Sequence, residues 1–260
     1  MRIIFWSVAF FAVIAAAVYL PPVATLGIFS IVLALALMAR YLAASVLIMV
    51  FLYPFLGIMV DLSRFESLRT IPYLGEVNAP LADIFGLFVF VVWLSTTVVL
   101  IWRGMNEPGS LRKKLETVRL PALFSAVTFW VSGAASLVHV PPGWLLGSVK
   151  YLFRPIIFFY AIFVVPIVNV LRTERLVRWA LWAMWIAGLI AAGFGVVSFF
   201  VAPSVGFPRA TVFSIGSFSP FGTNHNLLAE TLVVTAPIGL ALMEWHTRRN
   251  SRRWIILGSV

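Results

Sequence analysis

The chain has no cysteine, which excludes disulfides and thiolate metal sites. It is also poor in charge. Only 11% of its 260 residues are Asp, Glu, Lys or Arg, nine of them acidic, against about 25% in an ordinary soluble domain. Three histidines, at 139, 225 and 246, are too few and too scattered to suggest an imidazole cluster. No glycine-rich nucleotide loop and no DxD pair appears, so neither a nucleotide cradle nor a paired-carboxylate metal site is expected. What the chain has instead is apolar surface: 62% of residues are hydrophobic and the mean hydropathy is +1.04. A net charge of +10 would suggest nucleic acid in a soluble protein. Here the basic residues fall in short segments between apolar runs, the mark of membrane orientation, and no nucleic-acid partner is expected.

A bilayer core of about 30 Å takes roughly 20 apolar residues per helix, and backbone polar groups in lipid force such runs to be helical. Eight runs meet the requirement, at 3–20, 23–39, 41–60, 84–102, 122–140, 155–171, 179–203 and 227–245. The expected fold is therefore an all-α polytopic bundle of about eight complete spans in a single membrane domain, 1–260. Pro21-Pro22 separates the first two runs and Arg40 the next two, while Pro54, Pro166 and Pro237 lie inside runs and are expected to kink them. No cleavable signal is evident around the first run. The apolar stretch Trp254–Val260 looks like the opening of a ninth span, so the chain is expected to continue beyond it.

Charge sets the orientation. With a cytoplasmic N-terminus, fourteen Lys and Arg fall on the inner side, at Arg2, Arg40, 103–119, 172–178 and 248–253, against five outside. The outer loops are then 61–83, 141–154 and 204–226. The first could form a short surface helix. The second is amphipathic, with Trp144 and Tyr151 suited to the interface. The third leads from Arg209 through Phe221-Gly222-Thr223-Asn224-His225-Asn226 into an apolar helix that carries Glu230.

Ionisable groups at a membrane lip are costly and tend to have a function. Arg209 is either a phospholipid-contacting arginine or an anion clamp, since guanidinium offers a donor fork matched to phosphate. Asn226 suits a helix N-cap, with Asn224 and His225 in the turn before it; His225 could also contact phosphate or carry a proton. Glu230 suits the positive end of that helix, or could pair with Arg209 or accept from a sugar hydroxyl. Lys150 and Arg154, four apart, are headgroup contacts or part of a substrate site. Asp83 is expected to cap the span at 84–102.

Arg209, the stretch SFSPFGTNHNLLAETLVVTAPIGL at 217–240 and, more weakly, APLADIFGLFVFVVWL at 79–94 resemble the O-antigen ligase and polymerase family of bacterial envelope proteins. Asn224-His225-Asn226 stands where the family commonly has Asn-Pro-Asn, so its middle residue departs from the pattern. The resemblance implies a multi-pass protein of the bacterial inner membrane that moves a glycan from a polyprenyl-pyrophosphate carrier to an acceptor hydroxyl, such as a growing polysaccharide or lipid A core. It implies that Arg209 binds the pyrophosphate and that membrane lipids are the surroundings. It also implies that a second arginine and a histidine come from beyond Val260. No cofactor or metal is expected, because a diphosphate-lipid is already a good leaving group and cationic groups can stabilise its charge. The alternatives are a polytopic transporter or lipid-carrier flippase, and an assembly subunit without activity. Ionisable groups on the rim, and few within the spans, favour surface chemistry over a translocation path.

Overall fold

A computed structural model of the chain describes residues 22–61, 78–104, 118–145, 148–149, 152, 154–201, 220–221 and 225–249. The expected class holds in its coarse form: the described chain is mostly helical. In order come α1 (Pro22–Arg40), α2 (Leu42–Leu52), a ribbon of β1 (Met59–Asp61) and β2 (Asn78–Pro80), α3 (Leu81–Gly104) and α4 (Leu123–Ser136). A π-helical segment, Arg154–Val164, then runs into α5 (Val165–Val170), and α6 (Glu174–Val201) and α7 (His225–Arg249) complete the set. α3 is rich in Val, Ile, Phe and Trp, which are middling helix formers in water. The lack of any other backbone partner in lipid makes such a run helical. Hydroxyls in α3, α4 and α7 follow the same logic: Thr96 donates to the Trp93 carbonyl at 2.8 Å. Thr128 does so to Phe124 at 2.9 Å, and Thr235 to Thr231 at 2.7 Å.

The expectation of about eight complete spans is overturned. Among the described residues, three helices are long and apolar enough to cross a membrane: Leu81–Trp102, Glu174–Val197 and Leu228–His246. A fourth arises only if the bent pair Phe29–Arg40 and Leu42–Leu52 counts as one span. The physical reason is that apolar length does not guarantee an unbroken hydrogen-bond ladder. Runs 23–39 and 41–60 meet at Tyr41, whose φ of −120° and ψ of 44° are not helical, and the two axes diverge by 107°. Run 41–60 stops being helical at Leu52, ahead of Pro54, and passes into β1. Run 122–140 yields a 14-residue helix, about 21 Å long at 1.5 Å per residue. It starts after Ala122, in the left-handed region at φ 52°, and gives way to a 3₁₀ turn, Leu137–His139, before Pro141-Pro142. Run 155–171 is divided between π and α geometry, with Pro166 near the join. Run 3–20 and the stretch 254–260 lie outside the described residues.

The short surface helix expected within outer segment 61–83 lies outside the described residues, which cover only the ends of that segment. Asp61 and residues 78–80 belong to the antiparallel ribbon, in the register Met59↔Pro80, Val60↔Ala79 and Asp61↔Asn78. The Leu81 amide closes it onto the Ile58 carbonyl at 2.7 Å.

Two apolar clusters hold the helices together. One gathers Val46 and Met49 of α2, Val89 of α3, Phe163 of the π segment and Leu171. The other gathers Phe55, Ala187 and Ala191 of α6, Phe221 and Leu228 of α7. Between α6 and α7 the backbones approach closely in antiparallel register. A Cβ on Gly188 would overlap Thr235, and one on Gly239 would overlap the Trp185 indole nitrogen. At the far end of the same pair, Arg178 lies 4.8 Å over the Trp245 ring and bonds Glu174 at 2.6 Å. Gly193, on the same helix, meets nothing within 4 Å.

These two glycines make a matched test. Gly188→Ala should lower stability in detergent by about 1–3 kcal/mol through overpacking. Gly193→Ala should be neutral, or stabilising by roughly 0.5–1 kcal/mol, through helix propensity alone. Equal unfolding midpoints for the two variants would contradict the packed register.

Candidate functional site

The carrier of the expected site is α7, and the structure shows how its first turn is positioned. Phe221 is 1% exposed. Its ring lies 5.2 Å from Phe55 and 5.6 Å from Phe194, and the Gly57 amide donates to the Pro220 carbonyl at 3.0 Å. Pro220-Phe221 therefore pins the approach to α7 between the end of α2 and the second half of α6. The buried Ala187 and Ala191 belong to the same cluster, and small side chains there leave room for the ring. Four residues later α7 begins, with its unpaired first-turn amides and positive dipole end directed toward this end of the molecule.

Of the residues expected to form the site, Arg209, Asn224 and Lys150 lie outside the described residues. His225 and Asn226 are the first two residues of α7. The helix thus begins two residues earlier than the run 227–245 expected, and Asn226 is inside it rather than capping it. Glu230 is exposed on α7, five residues after His225, about 7.5 Å along the axis. Arg154 opens the π segment. The ring of Phe159, five residues on, meets Tyr53 at the end of α2 at 5.2 Å, so the π segment starts from the same end as α7. Asp83 is the third residue of α3, where it complements the helix dipole from within the first turn instead of capping it.

Two features escaped notice in the sequence. The aromatic lock is one, although an apolar Pro220-Phe221 pair inside a polar stretch was a visible signal. The other lies at the opposite, arginine-rich end: a cleft of about 460 Å³ between α2, the second half of α3 and the chain around α5, bordered by Leu42, Trp93, Thr97, Val118, Asn169 and Arg172. Asn169 builds one wall of it. Its Oδ1 accepts from the Arg119 amide at 2.8 Å and from the Arg172 guanidinium at 3.0 Å. Its Nδ2 donates to the Arg119 and Val165 carbonyls, each at 2.8 Å. Two donors and two lone pairs are thus all engaged. The signal was a single amide in the apolar run 155–171.

The long apolar helices make this a membrane protein. No protein-family model, characterised protein or solved structure matches the chain.

Phe221→Ala should cost roughly 3–5 kcal/mol, in the range for a buried aromatic truncated to a cavity, and Phe221→Leu much less. The check is the unfolding midpoint in detergent. A midpoint unchanged by Phe221→Ala would show that this ring does not hold α7 in place.

Proposed function

We propose that the chain belongs to a glycan-transfer machinery of the bacterial inner membrane, with its N-terminus cytoplasmic and the Phe221 end facing outward. In this reaction the bond between the anomeric carbon and the carrier diphosphate breaks. A bond forms from that carbon to an acceptor hydroxyl oxygen, and the lipid diphosphate leaves with the bonding pair. The acceptor proton passes to a base. The observation that carries the proposal is that a polar stretch of sequence, residues 209–224, leads directly into the positive end of α7. Arg209 and that helix end would together hold a diphosphate, by a guanidinium fork and by first-turn amides. Glu230, exposed on the next turn, would accept from a sugar hydroxyl. The resemblance of residues 217–240 to the O-antigen ligase and polymerase family supports the same assignment.

A second reading, a transporter or lipid-carrier flippase, is favoured by one observation. The 107° elbow at Tyr41 is a broken helix of the kind that lines translocation sites. Against it, the charged residue at the elbow is Arg40, which lies over the Tyr41 ring at 5.4 Å. The three long helices carry their charges near their ends, at Asp83, Glu174, Arg178, Glu230 and Glu244.

In membranes containing the whole protein, Arg209→Ala and Arg209→Lys should each reduce transfer from a polyprenyl-diphosphate glycan by 100-fold or more, about 2.7 kcal/mol of transition-state stabilisation. Expression should stay unchanged, and chelators should not inhibit. Wild-type transfer by Arg209→Ala would remove the clamp, whereas glycan translocation without transfer would favour the transporter. Orientation is separately testable. A reporter active only outside the cytoplasm should work when fused after Phe207 and fail after Arg249. The reverse pattern would place the Phe221 end inside.

A further inference from the structure

The cleft at the arginine-rich end pairs an apolar interior with a cationic lip. Leu42, Trp93, Ile101, Val118 and Val170 furnish the apolar walls, and Trp93 is itself buried. The Thr96 hydroxyl, also at the wall, is turned back onto the Trp93 carbonyl, so its donor does not confront the cavity. The volume of about 460 Å³ falls within the ~300–1,000 Å³ of ordinary ligand sites. At the lip the Arg172 guanidinium is exposed and held by the Asn169 carbonyl at 3.0 Å. Asn169 in turn fixes the Arg119 backbone, so lip and wall are set by one side chain. Arg40, Arg119, Arg175 and Arg178 belong to the same end of the molecule, and Glu174 is engaged by Arg178 at 2.6 Å. Half of the residues lining the cleft come from the far half of α3, a helix long and apolar enough to cross a membrane, and Arg172 stands at its edge.

We propose that this cleft is a binding site for one anionic phospholipid, with an acyl chain against Trp93 and Ile101 and the headgroup phosphate on Arg172. An apolar cavity open at membrane depth takes a chain. A planar cationic fork at its mouth takes phosphate. The surrounding arginines favour a lipid with net negative charge over a zwitterionic one by raising its local concentration. Membrane embedding is the only premise, so the site stands whether or not the protein transfers glycans.

The test uses the full chain, purified in a mild detergent and titrated with phosphatidylglycerol or phosphatidylcholine of identical acyl chains, with retained lipid counted by native mass spectrometry. One phosphatidylglycerol should be retained with at least a fivefold preference over phosphatidylcholine. Arg172→Gln should abolish the preference. Thr97→Leu, which fills the cleft, should lower retention of both lipids. Arg175→Gln, which removes a neighbouring charge outside the cleft, should leave binding within twofold of wild type. Soluble glycerol phosphate in millimolar excess should not displace the lipid; displacement would make this a phosphate site and overturn the proposal. Equal retention of the two lipids, or equal effects of Arg172→Gln and Arg175→Gln, would also overturn it. If Thr97→Leu does not yield folded protein, acyl-brominated phosphatidylglycerol replaces it. Bromine should quench fluorescence less in Trp93→Phe than in wild type, and an unchanged quench would again refute the site.

Discussion

Close backbone approach between α6 and α7 is the constraint on which the rest depends. Lipid chains are as apolar as leucine, so two helices in a membrane gain nothing by hiding apolar surface from the solvent around them. They gain from dense contact, and that requires small residues where they cross. Gly188, Gly195 and Gly239 meet Thr235, Leu228 and Trp185 across the interface. Their positions fix an antiparallel register: 185 faces 239, 188 faces 235 and 195 faces 228. That register places the start of α7 beside the second half of α6, where Phe221 can reach Phe194. Without it, Pro220-Phe221 would have no defined landing.

The second support is α2, an 11-residue helix too short to cross a membrane by itself. It packs against α3, α5 and α6, contributing Val46 and Met49 to one cluster, while Phe55, just past its end, joins the other. The two clusters meet different partners but share this one helix. Its ends lead to the two functional regions: Leu42 borders the arginine-rich cleft, and Gly57, just past the other end, anchors Pro220. The elbow at Tyr41 lets α1 leave at 107° instead of running antiparallel alongside, which keeps one side of α2 available to α3 and α6.

Hydropathy made the long helices legible. Runs 84–102, 179–203 and 227–245 became α3, α6 and α7 with boundaries within about five residues, because long uninterrupted apolar stretches have only one way to satisfy their backbone in lipid. The other described runs were misjudged for a shared reason. At Tyr41, Ala122, Pro141-Pro142 and Pro166 the ladder is interrupted or altered, and an apolar count does not register that. The positive-inside argument rested on the same count of runs. At the candidate site, the start of α7 was legible to two residues from Gly222-Thr223-Asn224 and the apolar run behind it. The role of Phe221 was not: Pro220-Phe221 stood out as an apolar pair in a polar stretch, but the partners its ring meets, Phe55 and Phe194, are set only by the fold.

Asn169 shows why polar groups inside such a chain deserve weight even when uncharged. A primary amide in an apolar run is best tolerated when its two donors and two lone pairs are engaged, and here all are. Three of the four bonds tie α5 to residues outside it, namely both backbone groups of Arg119 and the guanidinium of Arg172. Arg119 precedes α4, and two residues on, the Pro121 carbonyl accepts from Tyr160 at 2.8 Å. The lightly packed α4, with no buried residue among its 14, is therefore anchored at its start by hydrogen bonds rather than by apolar burial. Hydrogen bonds are directional where lipid contacts are not. A helix held this way keeps its entry point fixed, and further along it Gly133 is met by the Leu152 side chain.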